Sequence, residues 1–112
     1  TVTATLRDEI SLATAIRNAF PMGSMTGAPK VMAMELIERY EKSKRGLYSG
    51  AVGYIDPHGN FDFNVVIRSL QYRQSAGYLS YQTGGAITWD SDPEQEYAES
   101  LLKASGMRQL FR

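Results

Sequence analysis

Glu96, Glu99 and Lys103 are the residues of this 112-residue chain whose types and spacing most directly suggest chemistry. The run SDPEQ, Ser91 to Gln95, sets a helix start. Asp92 is a good N-cap, Pro93 fits the first helical position, and Gln95 stands three residues after the cap. At about 100° per residue, Glu96, Glu99 and Lys103 fall within roughly 60° of one another, with Tyr97, Leu101 and Ala104 on the adjoining apolar flank. Two carboxylates one turn apart offer hard oxygen ligands of the kind magnesium takes, and Lys103 beyond them suits a substrate carboxylate. The same spacing also describes a solvated face with an i,i+4 ion pair between Glu99 and Lys103, worth about 0.3–0.5 kcal/mol.

A second group centres on Arg68, a charge set inside the apolar run NVVIRSL. Such a residue either pairs with an acid, Asp62 or a glutamate, or projects into a site. With a three-residue loop at Pro57 to Gly59, Asp56 pairs with Asn60 and Tyr48 falls opposite Arg68. A phenol beside a guanidinium suits a small carboxylate. A third group is FPMGSMTGAPK, Phe20 to Lys30, where glycines and hydroxyls lead into a helix start whose free N–H groups attract anions. It lacks the GxxxxGK[ST] spacing of a P-loop, and Ser24 or Thr26 would serve equally as an ordinary cap. His58 sits in a turn and reads as a solvated loop residue.

Composition bounds the rest. Twelve basic residues balance twelve acidic ones, so no long-range field favours nucleic acid or an anionic membrane, and any anion site is local. The absence of cysteine removes disulfides, thiolate metal sites and cysteine nucleophiles, and fits a cytoplasmic setting. No apolar run reaches the roughly 18 residues of a membrane span. Tyr72, Tyr78, Tyr81 and Trp89 have no basic stripe beside them and read as packing residues.

The elements that must position these groups follow from periodicity. Thr1 to Leu6 alternates and reads as a strand with nothing before it, as if the chain began inside a larger one; Met107 to Arg112 trails off after Gly106. Helical spacing marks Ser11 to Phe20, with Ser11 or Asp8 as cap, and again Gly27 to about Lys42. Tyr48 to Asp56 and Phe61 to Gln71 form a hairpin, with Phe61, Phe63, Val65 and Ile67 on one face and Asp62, Asn64 and Arg68 on the other. After a turn at Gln74 to Gly77, Tyr78 to Gln82 is a further strand and Ala86 to Trp89 an extended continuation. A last helix covers Pro93 to about Ser105. The expected class is α+β: an antiparallel meander with flanking helices, in one domain.

Five ordered stretches, GSMTGAPK with its following helix (Gly23 to Ile37), RGLYSGAVGYID (Arg45 to Asp56), GNFDFNVVIRSL (Gly59 to Leu70), GGAI (Gly84 to Ile87) and SDPEQEYAESLLKA (Ser91 to Ala104), resemble the chorismate-binding enzymes. That family includes the anthranilate, aminodeoxychorismate, isochorismate and salicylate synthases. The resemblance covers nearly the whole chain and implies that residues 1–112 are a C-terminal portion of the family's large α/β sandwich. It implies magnesium as cofactor, with Glu96 and Glu99 as ligands. It places Tyr48, Arg68 and the backbone at Gly84, Gly85 and Ala86 on chorismate carboxylates, and Lys103 and Ser24 at further substrate-side positions. GSMTGAPK is more similar to the aminodeoxychorismate synthases than to the Gly-Thr-(Leu or Val)-Ser-Gly version of anthranilate synthases, while GGAI departs from the commoner Gly-Ala-Gly run.

The favoured branch implies replacement of the 4-hydroxyl of chorismate by ammonia for folate synthesis, the ammonia coming from a glutamine amidotransferase partner. The alternatives are anthranilate synthase and a binding module that kept the carboxylate clamp. In the family the catalytic lysine, the general-acid glutamate, a further metal-binding glutamate and a histidine lie upstream of the matching stretches. The resemblance therefore assigns no catalytic residue within this chain, which by itself is expected to be inactive and, with uncovered apolar surface, to self-associate.

Overall fold

A computed structural model describes residues 2–111. The chain forms two units, the first ending at Lys42 and the second beginning at Ser43. No helix among the described residues is long and apolar enough to cross a membrane.

The first unit is helical. Helix α1 (Leu12–Ala19) is capped by Ser11, whose Oγ accepts the Thr14 N–H at 3.2 Å, and it stops at Phe20 ahead of Pro21. The expected break from Pro21 to Gly27 holds a single helical turn, α2 (Gly23–Thr26), closed by Gly27 at φ 136°. A Cβ at Gly27 would stand 2.8 Å from the Ala33 Cβ, so glycine lets α2 lie against the next helix. That helix, α3 (Lys30–Tyr40), begins three residues later than its apolar spacing suggests. Ala28 precedes a proline and is disfavoured in the helical region, which leaves Pro29 as the cap. Thr26 does not cap α3; its hydroxyl donates back to the Met22 carbonyl at 3.1 Å. Residues 2–7 form no strand. A strand needs a partner's backbone groups, and no described segment pairs with them; Thr1 lies outside the described residues.

In the second unit β1 (Ala51–Ile55) and β2 (Phe61–Val65) pair antiparallel, with Ile55 opposite Phe61 and Ala51 opposite Val65. The loop has the expected three residues, and the Asp56 N–H donates to the Asn60 carbonyl at 2.8 Å. Asp56 organises it: Oδ1 accepts from the His58 and Asn60 N–H groups at 2.8 and 2.9 Å, and Oδ2 from the Asn60 amide at 2.8 Å. The Asn60 side chain, ahead of the backbone donors, holds the Asp56 carboxyl below its ordinary value. Phe61, Phe63 and Val65 share the expected apolar face, with the Phe61 and Phe63 rings 6.1 Å apart, while Ile67 and Arg68, expected to continue the two faces, lie beyond the strand.

The ladder is shorter than the apolar runs. The Ser49 N–H still donates to the Val66 carbonyl at 3.0 Å, and the Val66 N–H to Gly50 at 2.9 Å. Both chains then turn out through left-handed residues, Ser49 at φ 64° and Arg68 at φ 51°. That conformation costs a non-glycine residue about 1–2 kcal/mol, so other contacts hold it. The run Phe61 to Gln71 is therefore two strands. The second, β3 (Gln71–Arg73), pairs with β4 (Tyr78–Ser80) across a 3₁₀ turn at Gln74–Ala76 and Gly77 at φ 58°. The α+β class stands, with two two-stranded sheets in place of one continuous meander.

Residues 81–88 carry no strand and lead through a turn at Trp89, which is 99% exposed, to helix α4 (Pro93–Arg108). Its start is as expected: the Asp92 carboxylate accepts the Gln95 N–H at 2.9 Å, and Pro93 opens the helix. Its end is not, because the helix passes through Gly106. Glycine costs roughly 1 kcal/mol in a helix interior, whereas Ala104 and Met107, which flank it, are the two buried apolar side chains among the described residues. Arg112 lies outside the described residues.

Candidate functional site

The charged stripe of α4 faces the loop at residues 83–86. The Thr83 hydroxyl donates to the Ser100 carbonyl at 3.1 Å, and Lys103 Nζ donates to the Gly84 carbonyl at 3.1 Å. Lys103 also meets Glu99 Oε1 at 2.6 Å. With Glu99 half exposed, that i,i+4 pair contributes about 0.3–0.5 kcal/mol. Its larger consequence is positional: one ammonium ties a carboxylate to the loop backbone. Gly85 lies closest to the carboxylates. A Cβ there would stand 2.8 Å from Glu96 Oε2 and 4.0 Å from both Glu99 Oε2 and Lys103 Nζ. Only a residue without a side chain lets the backbone approach this closely.

Glu96 is held on one side only. Its Oε1 accepts the Ser91 hydroxyl at 2.7 Å, while its Oε2 is buried with no hydrogen-bond partner. A buried acceptor without a partner is uncommon and calls for an explanation, an ion among them. The donor set fits magnesium: two carboxylates beside Gly85, one with a spare oxygen, leave room for the waters and substrate oxygens this ion keeps. No cluster of three or more His, Cys, Asp or Glu side chains occurs among the described residues, so these two carboxylates would be the ion's only carboxylate ligands from them.

Two further residues approach the same loop or helix. Tyr48 sits in a tight turn, and its hydroxyl is 3.1 Å from where a Gly84 Cβ would be. Arg45 supports it from behind, with its guanidinium 5.8 Å from the Tyr48 ring and donating to Ser49 Oγ at 3.1 Å. Arg68 lines an open groove of about 590 Å³ with Glu99, Leu102, Lys103 and Met107. It forms no ion pair among the described residues, so of the two readings the pairing with Asp62 or a glutamate is the one not seen. Nor does the ladder set Tyr48 beside Arg68, since it ends short of both residues.

Gly84, Gly85, Glu96, Glu99, Lys103 and Tyr48 thus come together around one loop, with Arg68 in the groove beside Glu99 and Lys103. Ala86 continues the loop, exposed. Ser24 lies exposed on α2, in the first unit. Lys30, in the first turn of α3, donates to the Ala19 carbonyl at the end of α1, at 3.3 Å. His58 contributes a backbone N–H to the hairpin turn. Sequence reasoning passed over Ser91, Thr83 and Arg45. Ser91 had a visible signal: it stands just before the helix cap and five residues before Glu96.

The chain matches the family described as chorismate binding enzyme over residues 1–109. It is 47% identical over 111 residues to an aminodeoxychorismate synthase of Streptomyces griseus, covering 99% of this chain and 15% of the relative. It is 46% identical over 104 residues to anthranilate synthase component 1 of Mycolicibacterium smegmatis, covering 93% of this chain and 20% of the relative. It is 47% identical over 104 residues to a probable chloroplastic aminodeoxychorismate synthase of Oryza sativa subsp. japonica, covering 93% of this chain and 11% of the relative. The chain thus spans a fifth or less of the length of these relatives.

Proposed function

The chain belongs to the chorismate-binding enzyme family, and from that premise we propose that it forms the magnesium- and carboxylate-binding part of an aminodeoxychorismate synthase. One observation carries the proposal above the others. The buried, unpartnered Glu96 Oε2 lies beside Gly85 and Glu99, where Lys103 already draws in the loop backbone. The GSMTGAPK run supports this branch; the relatives, at 46–47% identity to both synthases, are compatible with either.

In this reading Glu96 and Glu99 hold magnesium, which when bound neutralises and fixes a substrate carboxylate as a Lewis acid. Arg68, in the groove beside Glu99 and Lys103, grips the second carboxylate of chorismate with two parallel N–H donors, and the Tyr48 hydroxyl is offered to the substrate from the Gly84 loop. Lys103 faces the substrate from the Gly84 side. Held at both carboxylates, the ring cannot tumble, and such orientation lowers the barrier of a displacement substantially. In that displacement the bond from C4 to its hydroxyl breaks, a bond from C4 to ammonia nitrogen forms, and the hydroxyl leaves as water. The groups that move protons in this step are not among those assigned here. A glutamine amidotransferase is the proposed source of ammonia.

The test is product analysis. The full polypeptide containing these residues, given magnesium, chorismate and ammonia, is expected to yield 4-amino-4-deoxychorismate by chromatography and mass. Anthranilate with pyruvate would move the chain to the other branch, represented by the 46% identical relative.

A further inference from the structure

Ser91 is the one residue whose hydrogen bonding decides which oxygen Glu96 offers. A serine hydroxyl has one hydrogen to give and two lone pairs to accept with. An ionised carboxylate only accepts, so the Ser91 hydrogen goes to Glu96 Oε1, at 2.7 Å. The Thr88 N–H, at 3.0 Å, and the Thr88 hydroxyl, at 3.3 Å, must then both donate to Ser91 Oγ. The Ser91 N–H returns to the Thr88 carbonyl at 3.2 Å, closing the turn around Trp89 and Asp90. Every valence of the Ser91 hydroxyl is committed, and the relay runs one way, from Thr88 through Ser91 to Glu96. Its end effect is asymmetric: Oε1 is occupied and Oε2 is left bare next to Gly85.

We infer that Ser91, held by Thr88, is a positioning residue that fixes Glu96 as a one-oxygen ligand for a divalent cation, with Oε2 presented to the site. This rests on the magnesium reading above. Without the Ser91 donor the carboxylate can rotate about its terminal bond and exchange its two oxygens.

The experiment titrates magnesium chloride into the full polypeptide by calorimetry, alongside thermal unfolding. Removing an outer partner of a metal ligand typically weakens the metal 10–100-fold, and Ser91→Ala is expected to raise the magnesium Kd by an amount in that range. Ser91→Thr keeps the hydroxyl and is expected to restore affinity to near the wild-type value. In a Glu96→Ala background, Ser91→Ala is expected to change Kd no further, because the oxygen it orients is gone. A Kd unmoved by Ser91→Ala, or an equal loss in the Glu96→Ala background, would overturn the inference while leaving the metal reading intact. A wild-type protein that binds no magnesium overturns both.

Discussion

In the proposed magnesium site Glu96 has one oxygen held by Ser91 and one without a partner, and Gly85 lies against the second. A methyl group there would stand 2.8 Å from Glu96 Oε2, the far end of a side chain rather than backbone, so the fold can yield cheaply but only by shifting the oxygen that Ser91 sets in place. Gly85→Ala is therefore expected to alter unfolding stability by less than about 1 kcal/mol. By displacing Oε2 it should weaken magnesium at least about tenfold, as disruption of a ligand's support does. Thermal unfolding beside a magnesium titration separates the two, and equal losses in both would contradict the argument. This part of the site was half legible in the sequence. Helical spacing placed Glu96, Glu99 and Lys103 on one stripe, because a helix start is written locally in Asp92 and Pro93. That Glu96 is bonded by Ser91 and overlaid by Gly85 depends on how a loop returns to the helix, which no periodicity records.

Among the elements, the β1–β2 hairpin is the clearest case of local chemistry setting geometry. Asp56 closes the loop through three hydrogen bonds, and the register follows from that loop. Its carboxyl is held below the ordinary value of 3.8, so the folded turn favours the charged form. The sign follows from linkage: this stabilisation is fully present above pH 3.8 and is lost as pH falls through the lower, folded value. Amide resonances of His58 and Asn60 are expected to titrate together with a midpoint below 3.8, and Asp56→Asn should abolish the transition. A midpoint above 3.8 would contradict the assignment. The register was readable because turn residues and pleat alternation agree. The strand ends were not, since the left-handed backbone at Ser49 and Arg68 is dictated by neither residue type. The end of α4 was misread for a related reason: burial of Ala104 and Met107 outweighs the helix preference lost at Gly106.

In the molecule as a whole, apolar surface exceeds what the fold covers. Ile55, Phe61, Phe63 and Ile67 remain between 39% and 53% exposed, and in the first unit Val31, Met32 and Leu36 are exposed as well. Ordering a residue's backbone costs about 1–2 kcal/mol, which the two buried apolar side chains among the described residues, Ala104 and Met107, do little to offset. Purified as these 112 residues, the protein is expected to self-associate, with a light-scattering mass above that of the monomer that rises with concentration. A constant monomer mass across a hundredfold dilution would contradict this. The lone tryptophan gives such surfaces an optical readout. Trp89 stands in water inside the turn that Ser91 and Thr88 close, so its fluorescence starts at the long-wavelength limit of a solvated indole. Whatever settles over that turn shifts the emission to the blue, and the chain reports its own cover without an added dye.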